Sequence, residues 1–293
     1  MPSRPLWLTL APLIFLLLWA FGYSVAKVGL LYTDPMTLLA LRFGSVVLIM
    51  AVLFAILRPP LPKTRADWVH LAFVGFLIQA VYFGFCYYAF ASGIGAGTLA
   101  LLMSFQPIIV ALAAPLWTSE VIGARAWIGL GLGLLGAVLV IGARSTIEPP
   151  SWLGLGFAAI ALLGISGGSL WEKKFGLSHH PVTANLIGYG AGFVGILPAL
   201  ALQGDFHVEW TGAFIASLAY LVIGNSVIAV GLLLAMIRAG DVSRVSALFF
   251  MVPPLAALAA WMVLGEIMPP MAWVGLAIAS LGVYLATRKP RDV

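Results

Sequence analysis

Charged side chains are scarce in this 293-residue sequence: Asp, Glu, Lys and Arg together account for 9% of the chain, whereas hydrophobic residues account for 62%. Soluble domains usually carry about a quarter charged residues and about half apolar ones. The shortage of charge therefore excludes an ordinary soluble domain and indicates an integral membrane protein.

Cysteine is almost absent, since Cys86 stands alone and no intrachain disulfide can form. Two strings, at 131–136 and 190–195, match the glycine pattern of dinucleotide-binding loops, but neither follows a strand or precedes an acidic residue about twenty positions later. We interpret them as packing surfaces of membrane helices, and expect the fifth and tenth spans to pair there. The histidines lack metal-ligand spacing: His70, His179, His180 and His207. The sequence thus predicts no metal and no cofactor.

Acidic residues are missing from the interiors of the hydrophobic segments. All ten fall at segment ends or in loops: Asp34, Asp67, Glu120, Glu148, Glu172, Asp205, Glu209, Asp241, Glu266 and Asp292. Proton relays through membranes use Asp, Glu or His inside the spans. The absence argues against carboxylate-based proton coupling. It also argues against a membrane-embedded enzyme, because no segment holds a carboxylate pair or a nucleophile beside a base.

Long hydrophobic segments are what the sequence does contain. A span across a hydrocarbon core of ~30 Å needs about 20 apolar residues. Ten such segments are predicted: 8–31, 35–57, 67–91, 97–118, 124–143, 152–172, 181–202, 211–236, 243–264 and 270–287. We therefore expect an all-α integral membrane protein with ten transmembrane helices.

The basic residues lie mostly on one side of these segments. If the N-terminus is cytoplasmic, Lys27 and Arg144 face outward, and twelve face the cytoplasm: Arg4, Arg58, Lys63, Arg65, Arg125, Lys173, Lys174, Arg238, Arg244, Arg288, Lys289 and Arg291. This positive-inside bias predicts a multi-pass protein of a bacterial-type inner membrane with both termini in the cytoplasm. The net charge of +5 is then a signal of topology, and no nucleic-acid partner is predicted.

The sequence also repeats itself with an offset of 146 residues and no gap. The identical pairs are Gly22 and Gly168, Lys27 and Lys173, Pro35 and Pro181, Thr37 and Thr183, Pro107 and Pro253, Glu120 and Glu266, Trp127 and Trp273, and Gly136 and Gly282. Five spans per copy mean that the second copy enters the bilayer from the opposite side. We therefore expect two inverted five-helix repeats, 1–146 and 147–293, a construction that recurs in secondary transporters.

Two signatures resemble a known family. The first is the segment from Leu17 to Lys27, followed by Asp34-Pro35 and by Leu41-Arg42-Phe43. The second runs from Pro107 through Glu120 to Gly136 and recurs from Pro253 to Gly282. They are similar to the EamA branch of the drug/metabolite transporter superfamily, most of all to amino-acid exporters of the YddG type. The resemblance implies ten helices, inverted repeats and export of small metabolites.

The third and eighth spans carry two amides that are repeat partners, Gln79 and Asn225. An unsatisfied amide in hydrocarbon costs up to several kcal/mol, so each must face protein, water or ligand. Hydrogen bonding between helices and contact with a substrate both remain open. Tyr82 and Phe83 follow Gln79 by one helical turn and should share its face.

Pro107 and Pro253 occupy equivalent points of the fourth and ninth spans. A proline inside a helix removes a hydrogen-bond donor and clashes with the carbonyl four residues back. Ser104 and Ser246 lie close by in sequence. We expect kinked helices that shape a cavity and bend during transport, although a packing kink without a ligand role is the alternative.

Several aromatic residues could form the wall of a cavity: Trp19, Tyr23, Trp171, Phe105 and Phe250. An interfacial role fits Trp19 and Trp171 less well, because Trp19 is in the middle of its span and Trp171 belongs to the repeat of the first signature. Five other tryptophans fit the membrane interface: Trp68, Trp127, Trp152, Trp210 and Trp273. An aromatic wall would accept flat or apolar side chains.

Arg42 is the one charge well inside a span, about 10 Å deep by helical rise. It could attract a substrate carboxylate, tie helices together, or extend toward the interface. Glu120 and Glu266, at helix ends, are expected to hold loops or neighbouring helix termini.

Together these features predict an exporter of small organic solutes, most simply neutral and aromatic amino acids, that works by alternating access around a central cavity. Its partners would be the substrate and membrane lipids, and it would be a monomer or weak homodimer. A passive pore and a membrane-embedded enzyme are the alternatives.

Overall fold

A computed structural model describes residues 6–117, 124–145, 151–175, 179–204, 206–232 and 252–287. These residues are helical apart from short connections, and the extended backbone among them pairs in one antiparallel bridge, between Thr33 and Val208. The all-α prediction is thus confirmed for the described part of the chain.

The helices fall into two compact units, each described here by itself. Unit 1 comprises residues 1–24, 94–151 and 232–293, and unit 2 comprises residues 25–93 and 152–231, so each unit combines segments of both sequence copies. Helix α1 (Leu6–Gly29) belongs to both. Unit 1 also contains α5 (Ala96–Met103), α6 (Gln106–Trp117), α7 (Ala124–Ser145), α11 (Val252–Leu264) and α12 (Pro270–Thr287). Unit 2 contains α2 (Pro35–Leu57), α3 (Arg65–Gly75), π1 (Phe76–Phe83), α4 (Gly84–Ala91), α8 (Trp152–Phe175), α9 (Pro181–Gln203), α10 (Gly212–Ala219) and π2 (Tyr220–Ala229).

Six helical segments are long and apolar enough to cross a membrane: Leu10–Gly29, Pro35–Leu57, Arg65–Ala91, Trp152–Glu172, Pro181–Gln203 and Gly212–Leu232. Four shorter apolar segments lie where the other predicted spans were expected: Ala96–Val110, Trp127–Val140, Leu255–Leu264 and Pro270–Gly282. The described helices therefore support a multi-pass protein, while the count of ten spans stays a prediction.

In unit 1, α7 and α12 pack through glycines that are repeat partners of one another. A Cβ added to Gly275 would lie 2.7 Å from the carbonyl oxygen of Gly136, and one added to Gly282 would lie 2.6 Å from that of Gly129. Positions 129 and 136 become 275 and 282 when shifted by 146, so the contact is reciprocal. The predicted fifth and tenth spans therefore pair through Gly136, whereas a Cβ on Gly133 would lie against Ile108 and a Cβ on Gly131 would meet no atom within 4 Å.

In unit 2, α2 and α9 cover equivalent residues of the two copies and run antiparallel. At one end, Gln203 Nε2 donates a 3.1 Å hydrogen bond to the hydroxyl of Thr37. At the other end, the hydroxyl of Thr183 donates a 3.1 Å hydrogen bond to the carbonyl oxygen of Pro60. Thr37 and Thr183 are themselves repeat partners, so each copy ties the start of its own helix to the end of the other helix.

The helix formed by α3, π1 and α4 also packs closely on α8 and α9. A Cβ on Gly75 would penetrate the backbone of Gly188, and a Cβ on Gly192 would collide with Gln79. On the other side, a Cβ on Gly164 would lie 2.8 Å from Val81. Because glycine has no side chain, the helix backbones can approach closely at these positions, as they do at small residues in other membrane proteins.

Candidate functional site

Arg42 lies two turns after the start of α2, at Pro35, with 1% of its surface exposed. Its guanidinium therefore does not extend to the membrane interface in this structure. Of the roles considered from the sequence, two are left: tying helices together and attracting a substrate carboxylate. A charged group in such a place is costly unless partners compensate for the lost water.

Three neutral side chains accept hydrogen bonds from the guanidinium. Arg42 Nε donates to Ser226 Oγ at 3.1 Å, Nη1 donates to the Tyr87 hydroxyl at 3.0 Å, and Nη2 donates to Asn225 Oδ1 at 3.0 Å. Tyr87 belongs to α4, whereas Asn225 and Ser226 belong to π2. Residues of both sequence copies thus converge on one cation.

Aromatic rings cover the same guanidinium. Its central carbon lies 4.4 Å from the ring centroid of Phe83 and 5.9 Å from that of Phe43. Phe43 in turn packs edge-on against Phe83 and against Tyr189 of α9, at centroid distances of 6.3 and 5.7 Å. A cation over a desolvated aromatic face gains about 2 kcal/mol or more. We call Arg42, Phe83, Tyr87, Asn225 and Ser226 the Arg42 cluster.

Two stretches of π-helix supply part of this cluster. Phe76–Phe83 and Tyr220–Ala229 occupy nearly equivalent positions of the two copies, in the predicted third and eighth spans. Such i→i+5 segments are rare and often occur at functional sites. Hydrophobic patterning cannot reveal them, because their composition is that of any apolar helix.

Tyr87 and Ser226 were missed by the sequence reasoning. Ser226 could have been found as the neighbour of Asn225, since both are polar in an apolar span. Tyr87 has no such signal, because its repeat partner is a leucine and its hydroxyl acts through the tertiary contact with Arg42.

Gln79 lies apart from the cluster, against Gly192 of α9. Its Oε1 atom is buried and has no hydrogen-bond partner among the described residues. Tyr82 is 2% exposed, and its ring lies 4.6 Å from that of Phe83. The predicted stripe therefore divides, with the aromatic residues together and Gln79 on the contact with α9.

Trp171 belongs to a second group in unit 2, at the contact of α8 with α3. Its Nε1 donates a 3.1 Å hydrogen bond to His70 Nδ1, and its ring lies 4.6 Å from the rings of Phe73 and Phe175. His70 stacks on Phe175 at 4.9 Å with an interplanar angle of 8°. The structure thus places Trp171 in an aromatic cluster separate from Arg42.

Other sequence candidates belong to unit 1. Trp19 packs against Phe15 at 5.5 Å within α1, which also carries Tyr23. The helix of the predicted fourth span is interrupted between α5 and α6, where Ser104 Oγ donates a 2.6 Å hydrogen bond to the carbonyl oxygen of Leu101. Pro107 lies just after this break, in the first turn of α6.

Glu266 holds a helix terminus, as the sequence predicts for it. Its Oε1 accepts a 2.9 Å hydrogen bond from the backbone N–H of Ala96 at the start of α5. Gly95, the N-cap of α5, offers no side-chain cap, so Glu266 replaces one. Gly265, at φ +65°, turns the chain after α11.

Pro253 is buried in the first turn of α11. The residues before Val252 are outside the described ranges, so a kink there stays a prediction. Three further candidates also lie outside the described residues: Glu120, Ser246 and Phe250.

The chain is similar to curated proteins over nearly its whole length. A "Probable amino-acid metabolite efflux pump" of Salmonella typhimurium (strain LT2) is 26% identical over 284 residues, covering 93% of this chain and 92% of that protein. A protein of the same name from Escherichia coli (strain K12) is 24% identical, again with 93% and 92% covered. A solved crystal structure superposes with a TM-score of 0.63 at 18% identity, over 95% of this chain and 96% of the other. At this identity the similarity is evidence of a shared fold and of nothing further.

The EamA-like transporter family model matches the sequence twice in succession, over residues 6–142 and 147–288. The two matches account for nearly all of the sequence and coincide with the 146-residue repeat. The chain therefore belongs to the EamA-like transporter family.

Proposed function

We propose that this membrane transporter exports neutral amino acids, aromatic ones included, and that Arg42 binds the substrate carboxylate. The observation that carries the proposal is a buried guanidinium whose hydrogen-bond partners, among the described residues, are all neutral. Membership of the family makes the chain a transporter and not an enzyme.

The unbalanced charge favours an anionic ligand. A guanidinium has five N–H donors, and the Arg42 cluster uses three of them. A carboxylate could accept from the remaining donors in the two-pronged geometry that arginine favours. It would also supply the opposite charge that an intramembrane cation otherwise lacks.

The surroundings of Arg42 suit the rest of an amino acid. Phe83, Phe43 and Tyr82 present aromatic rings that would contact an apolar or flat side chain. The names of the two bacterial relatives, both amino-acid metabolite efflux pumps, support the same substrate class.

Alternating access is supported by the reciprocal contacts between the two copies. The glycine contacts of α7 with α12 recur when positions are exchanged by 146, and Thr37 and Thr183, which are repeat partners, each bond near the end of the other helix. A two-fold relation of this kind is expected of inverted repeats, here 1–146 and 147–293, in which one part moves against another. The break before Pro107 would then serve as a bending point.

The distribution of charge supports the proposed location and orientation. The connection between α2 and α3 carries Arg58 and Lys63, and α3 begins with Arg65; all three are exposed. Under the positive-inside rule this end faces the cytoplasm, which puts both termini there in a bacterial inner membrane.

The test is counterflow in proteoliposomes with labelled leucine, phenylalanine and tryptophan, together with the amines that lack only the carboxylate. We expect saturable exchange of the amino acids and much slower exchange of the amines. Arg42→Gln should abolish this preference, while Arg42→Lys, which keeps the charge without the planar fork, should retain part of it.

Uptake that is linear in concentration and independent of internal substrate would indicate a passive pore and overturn the proposal. Equal rates for amino acids and amines in the wild-type protein would overturn the role of Arg42.

A further inference from the structure

Segments α3–π1 and α9 of unit 2 border an open groove of about 820 Å³ that lies apart from the Arg42 cluster. Trp68 and Phe76 line it on one side, and Gly190 and Val194 line it on the other. Leu61, from the connection between α2 and α3, contributes at the end where both helices begin.

The lining is apolar. Val69 and Val194 are 62% and 63% exposed, although both are hydrophobic. The hydroxyl in the lining, that of Thr183, is already donated to the Pro60 carbonyl oxygen. A water-soluble ligand would lose hydration here without gaining hydrogen bonds from the lining, whereas a hydrocarbon chain would lose none.

The length of the groove matches one leaflet of a bilayer. Trp68 and Phe76 are eight residues apart, and Thr183 and Gly195 are twelve apart, which gives about 12 and 18 Å by helical rise. Half of a hydrocarbon core of ~30 Å is about 15 Å. The groove therefore extends from the membrane interface to about the midplane, as an acyl chain does.

Positive charge surrounds the interfacial end. Arg58 and Lys63 are exposed in the connection that also contributes Leu61 to the lining, and Arg65 is exposed at the start of α3. The connection is held in place by a 3.2 Å hydrogen bond from Trp68 Nε1 to the carbonyl oxygen of Pro62. The neighbouring acid, Asp67, is engaged with the Thr64 backbone in a capping box.

Arg58 adopts a left-handed conformation that is unfavourable for most residues with a side chain. Its φ is +45° and its ψ is +50°, in the left-handed region, at the C-cap of α2. Glycine commonly serves at such helix ends because it has no Cβ. An arginine at this position is best explained if its charge is needed there.

The geometry points to a binding site for an anionic phospholipid. One acyl chain occupies the groove between α3–π1 and α9, and the phosphate-bearing headgroup contacts Arg58, Lys63 and Arg65. Charge complementarity at the interfacial end selects the anionic headgroup, since basic side chains at this level attract anionic lipids. This site does not depend on the identity of the transported substrate.

The test uses the purified full-length protein in detergent, with phosphatidylglycerol or phosphatidylcholine of identical chains added. Native mass spectrometry measures bound lipid, and thermal unfolding measures the shift in Tm. We expect phosphatidylglycerol to bind more tightly and to raise the Tm more. Replacing Arg58, Lys63 and Arg65 together by glutamine should weaken phosphatidylglycerol binding roughly 100-fold and remove its advantage.

A second variant tests the groove itself. A Cβ on Gly190 would meet no atom within 4 Å, so Gly190→Leu should fill the groove without a clash and reduce the binding of both lipids. Gly156→Leu is the matched control, because Gly156 is equally open but lies on α8 outside the lining. Arg58→Gly should raise the Tm of lipid-free protein while weakening phosphatidylglycerol binding.

Three results would overturn the proposal. Equal binding of the two lipids would exclude headgroup selection. Unchanged binding by the folded Gly190→Leu protein would exclude the groove. A dimer that Gly190→Leu dissociates would assign the groove to a second copy of the chain.

Discussion

Arg42 and Asn225, 183 residues apart in sequence, are joined by a buried 3.0 Å hydrogen bond from Nη2 to Oδ1. The repeat partner of Arg42 is Gly188, which lies against Gly75. The same position thus carries a cation in one copy and permits close backbone contact in the other. The two copies therefore differ in chemistry at this position.

The bond between Arg42 and Tyr87 can be removed with little change in packing. Tyr87→Phe should lower the free energy of unfolding by about 1.5–3 kcal/mol, because it deletes a hydrogen bond to a charged group. It should also shift the apparent affinity for carboxylate-bearing substrates, as seen in counterflow. Tyr88→Phe, at a partly exposed neighbour, should change neither. Equal changes in stability and affinity for the two substitutions would contradict the role of the Tyr87 hydroxyl in the Arg42 cluster.

The contact of α9 with π1 depends on the absence of a side chain at Gly192. Gly192→Ala should lower the Tm, since the new methyl collides with Gln79, and such overpacking costs about 1–3 kcal/mol. Gly190→Ala, two residues away, meets no atom within 4 Å and should be neutral or stabilising by up to about 1 kcal/mol. Thermal unfolding in the same detergent compares the Tm of the two variants. A lower Tm for Gly190→Ala than for Gly192→Ala would contradict the close contact of α9 with π1.

Gln79 offers a test that separates function from stability. Its buried Oε1 has no partner among the described residues, so Gln79→Met should leave the Tm unchanged or raise it. If Gln79 contacts substrate, counterflow should nevertheless slow or change in selectivity. Full transport by a stabilised Gln79→Met protein would remove this residue from the binding site.

Glu266 should stabilise the start of α5 through its bond to Ala96. Glu266→Ala is expected to cost about 0.5–2 kcal/mol in unfolding free energy, the usual price of a lost helix cap. Glu266→Gln, which keeps an oxygen acceptor, should cost less. Glu209→Ala is the control, because that carboxylate is exposed and its partner among the described residues is the exposed His207. Hydrogen exchange at the start of α5 measures the effect directly, and unchanged protection there would exclude the capping role.

Pro107 is expected to matter for motion more than for binding. Pro107→Ala should restore a donor next to the break between α5 and α6 and slow transport, with substrate affinity changed less. Counterflow rates and equilibrium binding, measured on the same preparation, separate the two effects. Equal losses in both would mean that the substitution misfolds the protein.

The helices and the family can be predicted from the sequence, because the helices depend on local hydrophobicity and the family on a repeated pattern of residues. Hydropathy alone predicts segments at 35–57 and 181–202, and the structure contains helices Pro35–Leu57 and Pro181–Gln203, so the two predictions agree to within one residue. The offset of 146 residues predicts two copies, and the family model matches both. Hydropathy predicts these segments without the tertiary structure, because each span must by itself be apolar and long enough to cross the membrane.

The Arg42 cluster needed the tertiary structure. Depth in a span shows that Arg42 must be compensated, but the choice of Tyr87, Asn225 and Ser226 depends on which helix faces meet. Likewise, nothing in composition distinguishes Phe76–Phe83 as a π-helix or assigns Trp171 to a cluster with His70. The sequence by itself determined a duplicated, helical membrane transporter, because those properties follow from local hydrophobicity and repetition. Only the tertiary structure decided which side chains meet the buried charge, because contacts between distant spans are set by packing.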